Sequence, residues 1–395
     1  MYDYFYFKKL EGRSSNEINH IFAKKFKTMY QLNFYIMKKF RFFLFLPVVF
    51  FLFAGCASTE KTPQVRNVIL MIGDGMGLYH PYAAYTANKG SLALYERTQA
   101  VGIIFTSAAN NYITDSAAAG TSIASGVKTN NGMLGILPDT TAVKTMLEYA
   151  ADHGLSTGMV VTCELTHATP AAFVAHVGGR SENDNIALDL ARSKINVAIG
   201  GGRKFFEDRA DGKNLTDSMK AKGFRVAYTL NEVKATQEGN LLGLLAEVAP
   251  ARYPARGEIL TEGVKTAINI LNSNKKGFFL MVEGSQIDWA AHDNHQEDVI
   301  NEVLDFDRAV KIAFDFAERD GNTLVIVTAD HETGGMTITR GNLQSGNLNL
   351  AFSSTGHTGV PVPVYAFGPG AEKFIGIYEN TEFLPKVLEL LRISK

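Results

Sequence analysis

The amino-acid sequence predicts an α/β sandwich with a mostly parallel central sheet. Three observations support this fold class: short apolar runs of strand length, amphipathic stretches between them, and polar residues directly after several of the runs. Strands buried on both faces form such continuous apolar runs, and their alternation with helices is typical of a doubly wound sheet. The predicted strands are NVILMIG (67–73), STGMVVTC (156–163), NVAIGG (196–201), GFFLMVEG (277–284), NTLVIVTAD (322–330) and VPVYAFG (362–368).

Helical periodicity is found in VKTMLEYAADHG (143–154) and in EDVINEVLDFDRAVKIAFDFAERDG (297–321). In the longer stretch, apolar residues fall on one face at spacings of three and four, as a helix packed on a sheet requires. These residues are Val299, Val303, Phe306, Val310 and Ala313. The segment 203–260 is more polar and less regular, and we interpret it as an irregular excursion from a single domain that spans residues 56–395.

One short stretch, YITDSAAAGTSIASG (112–126), combines reactive side chains with very small ones. The alanines favour helix, and a serine just ahead of such a run, here Ser116, suits a helix N-cap or first turn. Free N–H groups and the positive dipole end of a helix attract anions at that position. Taken alone, the stretch also fits a capped helix that packs closely on a neighbour, so the rest of the chain must decide between the two interpretations.

Charge is unevenly distributed along the 395 residues. Residues 1–55 hold nine basic and three acidic side chains, which leaves 30 basic and 37 acidic ones, a net charge of −7, on the remainder. A general nucleic-acid binder is normally basic, so this balance argues against specific nucleic-acid recognition. If the protein handles phosphate, local cations must attract it.

The N-terminal region has the features of a targeting segment. Met37 opens a basic stretch that is followed by the apolar run FFLFLPVVFFLFA and then by Ala54-Gly55-Cys56. The run is short for a membrane span, and small residues before a cysteine are similar to a bacterial lipoprotein signal. We therefore expect a signal peptide over 37–55, a lipid on Cys56, and an exported protein in the periplasm or on the cell surface. An ordinary signal peptide or an uncleaved anchor is the alternative.

Two further expectations follow from this region. Residues 1–36 fit neither a signal nor a domain, and we interpret their presence as the result of a start codon assigned too far upstream. If Cys56 carries the lipid, Cys163 is the one remaining cysteine, and no intramolecular disulfide can form.

Polar residues of metal-binding type follow three of the predicted strands. Asp74 follows 67–73, Glu283 lies near the end of 277–284, Asp330 ends the run 322–330, and His331 comes directly after it. Because ligands bind at the carboxyl ends of the strands in such sheets, we expect these side chains to converge.

Three more candidate ligands lie outside the strands. Asp288 and His292 are four residues apart, so a helix places both on one face, and His357 stands between turn formers in GHTG. Individually these are ordinary features: a surface pair on a helix and a solvated loop histidine. Together with Asp74, Asp330, His331 and Ser116, they supply the His and Asp ligands and the nucleophile that two zinc ions need for in-line phosphoryl transfer.

Six segments resemble the metal-dependent alkaline phosphatases, in the order typical of that family. They are MIGDGMG, TDSAAAGTSIASGVKTNNGMLG, THATPAAFVAHVGGR, MVEGSQIDWAAH, VTADHETGG and GHTGVPVPVYAFGPG, and the resemblance runs from about residue 66 to the C-terminus. It implies an α/β/α sandwich and hydrolysis of small phosphate monoesters through a phosphoserine. Only about 20 residues separate DHETGG from GHTG, which indicates a compact bacterial type without large insertions there.

The resemblance also implies a role for individual residues. It implies two Zn²⁺ ions and one Mg²⁺. The ligands of the first zinc would be Asp288, His292 and His357, and those of the second would be Asp74, Asp330, His331 and Ser116. The ligands of the magnesium would be Asp74, Thr169 and Glu283. Ser116 is then the nucleophile, Arg180 grips two phosphate oxygens, and Asp115 orients Arg180. Family members are commonly homodimers, although no pattern in the sequence demonstrates an interface.

Two near-site positions vary within the family. His167 stands where some bacterial members have aspartate, and Trp289 where those members have lysine. A histidine weakens the all-oxygen surroundings that magnesium prefers, so the third site is expected to bind magnesium less tightly or to accept zinc or cobalt. Trp289 fits a packing role as well as a position beside the phosphate. Three other histidines, His153, His176 and His295, are expected to be structural.

Two other function classes fit the sequence less well. A sulfatase needs Cys/Ser-x-Pro-x-Arg around its nucleophile, which DSAAAG lacks, and a phosphodiesterase must accommodate a second ester group. A surface lipoprotein that binds phosphate or metal without turnover would normally have lost the nucleophile or a ligand. The complete inventory favours a phosphomonoesterase over both.

Overall fold

The computed structural model describes residues 64–394, and the predicted signal peptide, Cys56 and residues 1–36 lie outside this range. Ten of the described strands form one sheet. They are β1 Asn67–Gly73, β2 Ala100–Phe105, β3 Ser156–Glu164, β4 Val197–Gly201, β5 Phe224–Ala227, β6 Asn240–Leu244, β7 Phe278–Gly284, β8 Thr323–Thr328, β13 Val362–Phe367 and β14 Gly376–Glu379. Four short strands form two separate ribbons: β9 Glu332–Thr333 with β12 His357–Thr358, and β10 Met336–Gly341 with β11 Leu348–Phe352.

The strand order of the main sheet is β14-β2-β13-β8-β1-β7-β3-β4-β6-β5. Neighbouring strands run parallel, except that β13 is antiparallel to both β2 and β8. The predicted α/β sandwich with a mostly parallel sheet is therefore confirmed. The expectation that 362–368 is another parallel strand is wrong, because an apolar run does not encode strand direction.

Helices cover the sheet. They are α1 Tyr79–Ala87, α2 Ala93–Arg97, α3 Ser116–Ser125, α4 Met146–Asp152, α5 Ala168–Ala171, α6 Asn183–Arg192, α7 Arg203–Glu207, α8 Leu215–Ala221, α9 Leu230–Ala235, α10 Ile259–Leu271, α11 Gln286–His292, α12 Gln296–Asp320 and α13 Phe383–Leu391. The apolar face predicted for α12 is buried, and it includes Val303, Phe306 and Val310. Apolar burial on both faces of the sheet is the main stabilising term of this fold.

The segment 203–260 is more regular than we expected. It contains three short helices, and its strands β5 and β6 extend the main sheet at one edge. β5 has four residues and is largely half-buried or exposed, and β6 is buried but has only five residues, so neither carries the longer apolar run that marked the central strands. Most of the segment is thus part of the sandwich.

The centre of the sheet brings three strand ends level with one another. Ile72 of β1 pairs with Glu283 of β7 on one side and with Thr328 of β8 on the other. All three strands are buried along their whole length. Side chains that follow these strands therefore share one carboxyl edge. Among residues 64–394, no helix is both long enough and apolar enough to cross a membrane.

Candidate active site

The carboxyl edge of the central strands gathers acids and a histidine into a buried cluster. Asp74, Glu283, Asp330 and His331 are each fully buried. Asp330 Oδ1 accepts hydrogen bonds from the backbone N–H groups of Gly75 (3.1 Å) and of His331 (3.0 Å), which fixes this carboxylate against the turn after β1. The strand-end residues singled out in the sequence thus lie together.

Ser116 is the first residue of α3, and its hydroxyl faces the cluster. Ser116 Oγ lies 3.2 Å from His331 Nε2. All ten residues of α3 are buried, and a Cβ added to Gly120 would lie 3.0 Å from Ala172 Cβ. The small residues of this stretch therefore let the helix pack closely, and Ser116 places the helix N-terminus beside the cluster. Both interpretations of the stretch apply: it is a capped, closely packed helix that also presents a hydroxyl.

Asp115 joins the helix start to Arg180. Its Oδ1 accepts from Ala118 N at 3.0 Å and caps α3. Its Oδ2 accepts from Gly132 N at 3.0 Å and from Arg180 Nη1 at 3.0 Å. The Arg180 guanidinium is thereby held beside the N-terminus of α3, where two positively polarised groups face the same space.

His331 takes part in two neighbouring groups of ligand type. One ligand atom from each of Asp74, Asp330 and His331 lies within 4.8 Å of the others, and the same holds for Asp288, His331 and His357. His331 Nε2 lies 3.2 Å from Asp330 Oδ2 and 3.5 Å from Asp74 Oδ1. The His331 and His357 rings stack with their centroids 3.6 Å apart, so the two groups are adjacent.

Asp288 and His292 lie on one face of α11, as their spacing predicts. His292 Nε2 is 3.3 Å from Asp288 Oδ2, and His357 Nε2 is 3.6 Å from Asp288 Oδ1. The Nδ1 atoms of both histidines face backbone carbonyls, that of Thr355 for His292 and that of Thr114 for His357. These contacts leave Nε2 of each ring directed at Asp288, which is the arrangement typical of metal-binding histidines.

A third group lies around Glu283. Thr169 on α5 is fully buried, and its hydroxyl has no hydrogen-bond partner among the described residues. Cys163, His167 and Glu283 each offer one ligand atom within 4.8 Å of the others. Cys163 is the residue of this group that the sequence interpretation left without a role, because a lone thiol has no spacing signature.

Burial and mutual repulsion strongly perturb the acids. Burial raises the pKa of Asp74 well above its usual range, and the charges of Asp330 and Asp288 raise it further. Burial also raises the pKa of Glu283 to about 8. At Asp288, burial acts in the same direction, but the hydrogen bond with His292 and the nearby imidazoles outweigh it and lower the pKa. The same hydrogen bond raises the pKa of His292 to about 9.

These residues fit divalent cations. Both carboxylate oxygens of Asp74, one oxygen of Glu283 and one of Asp330 are buried and have no hydrogen-bond partner among the described residues. An unpaired buried carboxylate costs several kcal/mol, and a bound cation removes that cost. Nitrogen and oxygen ligands around His331 are those that zinc prefers.

Trp289 and three histidines have roles in packing or hydrogen bonding. Trp289 is partly buried against the core and meets the His167 ring edge-to-face at 5.8 Å. His153 and His176 contact backbone carbonyls, and His176 also pairs with Glu148 at 3.0 Å. His295 caps α12.

One supporting residue was missed in the sequence. Thr333, in the strand β9, donates its hydroxyl to Asp288 Oδ1 and lies 3.3 Å from His331 Nδ1. It therefore connects the two groups that share His331. Its position two residues after His331 in DHETGG was the available signal, but a threonine in a turn is too common to single out.

Comparison with known proteins gives one consistent result. The family model "Alkaline phosphatase" matches residues 65–351. The chain is 37% identical to alkaline phosphatase 4 of Bacillus subtilis (strain 168), over 86% of this chain and 91% of that protein. The structure of alkaline phosphatase from the Antarctic bacterium TAB5 superposes with a TM-score of 0.79 at 38% identity, covering 84% of this chain and 100% of that one. A histidine-to-aspartate variant of the TAB5 enzyme, described with magnesium in its M3 site, superposes equally well, with a TM-score of 0.79 at 36% identity over 85% of this chain and 100% of that one.

Proposed function

The chain belongs to the alkaline phosphatase family of hydrolases, and from that premise we propose that it hydrolyses phosphate monoesters through a phosphoserine on Ser116. The observation that carries the proposal is the placement of the Ser116 hydroxyl. It lies at a helix N-terminus, 3.2 Å from His331 Nε2, beside a buried acid cluster, with the Asp115–Arg180 pair at the same helix start.

The chain's own residues account for binding and attack. Arg180 and the N–H groups of α3 bind the phosphoryl oxygens, and Asp115 holds the guanidinium in the orientation that this contact needs. Ser116 Oγ attacks phosphorus in line and loses its proton, and the ester oxygen leaves as the alcohol. Water then hydrolyses the phosphoserine, which releases inorganic phosphate and restores the hydroxyl.

We propose two zinc ions and one magnesium as cofactors. Asp288, His292 and His357 would hold the first zinc, and Asp74, Asp330 and His331 would hold the second, with Ser116 beside it. Asp74, Thr169 and Glu283 would hold the magnesium, and the unpaired oxygens of all three support this. Bound cations would favour the ionised serine and stabilise the charge that develops on the phosphoryl group.

His167 bears on the identity of the third ion. Its ring lies beside Arg180, with His167 Nε2 3.5 Å from Arg180 Nη2, and in the ligand-type group with Glu283. The TAB5 variant described with magnesium in its M3 site carries aspartate in place of a histidine. We propose that the histidine here lowers the affinity of the third site for magnesium. Tight magnesium binding by metal-stripped protein would contradict this.

Export and membrane attachment remain proposals based on residues 37–56. The basic stretch, the apolar run and the small residues before Cys56 support cleavage at Cys56 and its lipidation. Mass spectrometry of the mature N-terminus tests this, and an unmodified Cys56 would contradict it. We also propose a homodimer, as expected for the family, which sedimentation can test.

Substitution and metal removal test the proposed reaction. Ser116→Ala and Asp330→Ala should each abolish most turnover of p-nitrophenyl phosphate, because removal of one group that stabilises the transition state typically costs a factor of about 10²–10³ in kcat. Chelation should abolish turnover, and zinc with magnesium should restore it alongside the measured metal content. A phosphodiester should react far more slowly than the matched monoester. Near-normal rates in either variant, or a phosphoserine that cannot be trapped at low pH, would overturn the proposal.

A further inference from the structure

A second set of donor atoms meets Glu283 from the side of β3. Cys163 Sγ lies 3.4 Å from Glu283 Oε2, and both side chains are fully buried. His167, just before α5, completes the group, with one ring nitrogen within 4.8 Å of the other two donor atoms. Cys163 is absent from all three sets of metal ligands that the family resemblance implies.

Hydrogen bonding within the protein does not satisfy this group. Glu283 Oε1 and His167 Nδ1 are buried and have no hydrogen-bond partner among the described residues. A thiol is a weak donor, so its contact with Oε2 compensates a buried carboxylate poorly. The unpaired Glu283 Oε1, which also supports the magnesium set, therefore indicates independently of the cysteine that a cation belongs beside this carboxylate, and the unpaired His167 Nδ1 adds a free donor atom to the group.

The donor set has a definite preference among metals. Sulfur, nitrogen and oxygen together suit zinc or cobalt, whereas magnesium requires an octahedron of oxygens. Zinc bonds of about 2.0–2.3 Å place tetrahedral donors roughly 3.3–3.8 Å apart, so donors within 4.8 Å need to close by about 1 Å. Small movements of the side chains suffice for that.

We infer that Cys163 supplies a thiolate ligand, together with Glu283 and His167, to a zinc or cobalt ion bound on the β3 side of Glu283, next to the position proposed for magnesium. The thiol proton is released to solvent when the metal binds. The inference rests on the proposed function in one respect, the assignment of Glu283 to a third metal. The group of Cys163, His167 and Glu283 differs from the magnesium set of Asp74, Thr169 and Glu283, because Cys163 approaches the Glu283 carboxylate at Oε2, from the side of β3.

Cobalt titration of the metal-stripped full-length protein tests the inference, because thiolate ligation to Co²⁺ gives a sulfur-to-metal absorption band in the near ultraviolet. We expect the band in the wild type, its loss in Cys163→Ser, and at least tenfold weaker binding of one cobalt in that variant. The matched control is Cys56→Ser, which should keep the band, since the chain has two cysteines. If Cys163→Ser does not fold, as judged by circular dichroism, the wild type and the control variant still decide the question.

Two outcomes would overturn the inference: no thiolate band at saturating cobalt, or a band that survives in Cys163→Ser. A third contradicting result is one tight magnesium bound while cobalt at that position is excluded. Turnover of p-nitrophenyl phosphate, measured on the same metal-stripped protein after it has been loaded with zinc, separates this inference from the proposed function. Full activity without a thiolate band rejects the role of Cys163 alone, whereas a thiolate band without activity rejects the proposed reaction alone.

Discussion

The aspartate before the nucleophile allows two roles to be separated, because its two carboxylate oxygens have different partners. Asp115 Oδ1 caps α3 through Ala118 N, whereas Oδ2 accepts from Gly132 N and Arg180 Nη1. Serine is as good an N-cap as aspartate but is too short to reach the guanidinium. Asp115→Ser therefore removes the support of Arg180 and keeps the cap, while Asp115→Ala removes both.

The expected magnitude follows from the exposure of the pair. The Asp115 and Arg180 side chains are 20% and 32% exposed, so solvent partly screens their attraction. Fully exposed pairs contribute about 0.2–1 kcal/mol and hydrogen bonds to buried charges about 1.5–3 kcal/mol. We take about 1 kcal/mol for this pair, which corresponds to about a fivefold change in a binding constant.

The assay compares phosphate binding with stability. In both variants, the inhibition constant for inorganic phosphate should rise about fivefold, because a less ordered Arg180 binds phosphate less well. Both variants lose the contacts of Oδ2, but Asp115→Ala should lose about 1 kcal/mol more stability than Asp115→Ser in urea unfolding, since only it also lacks the cap. Unchanged phosphate inhibition in Asp115→Ser would refute the role of this aspartate in orienting Arg180, and equal destabilisation of both variants would refute the separation of roles.

Three other substitutions probe the fold and the third site. Arg256→Met should lower the free energy of unfolding by about 3–5 kcal/mol, because it leaves the fully buried Glu302 without its counter-charge and leaves the fully buried Asp305 with Arg308 alone; a loss below about 1 kcal/mol in urea unfolding would contradict this. His176→Gln should reduce stability most between about pH 5 and 6 and little above about pH 8. The hydrogen bond with Glu148 raises the pKa of His176, so the stability that His176 contributes is lost as the pH rises through this raised pKa. The same hydrogen bond outweighs burial and lowers the pKa of Glu148, so the stability that Glu148 contributes is lost as the pH falls through this lowered pKa. Equal losses in urea unfolding at pH 5.5 and 8.5 would contradict this. His167→Asp should tighten magnesium binding in calorimetric titration of metal-stripped protein by adding an oxygen near the third site, and unchanged affinity would argue against that effect.

Much of the central sheet was predictable because its strands are buried on both faces. The runs predicted at 67–73 and 277–284 match β1 and β7 to within one residue. The strand β2 was missed because burial alternates along it, and Val101, Ile103 and Phe105 are exposed. The direction of β13 was also missed, since direction depends on how the preceding loop crosses the sheet and not on composition.

The candidate site was predictable where one element carries two ligands or where a strand end carries one. Asp288 and His292 share a helix face, and Asp74 follows a buried strand, so local geometry suffices for both. The adjacency of His331 and His357 depends instead on the ribbon of β9 and β12, which pairs His357 with Thr333. Two-residue strands leave no periodic signal, so that contact could be found only in three dimensions.

The helix that begins at Ser116 has no face in contact with water, and this limits how the enzyme can acquire new preferences. A larger side chain anywhere along it would have to displace packed neighbours, so adaptation to a different alcohol portion of the substrate must come from elsewhere. Tyr112, a few residues before the helix, is strongly exposed, so a change of its side chain meets far less of that penalty. Variation for substrate breadth is therefore best directed at exposed positions outside the helix, with the helix left untouched.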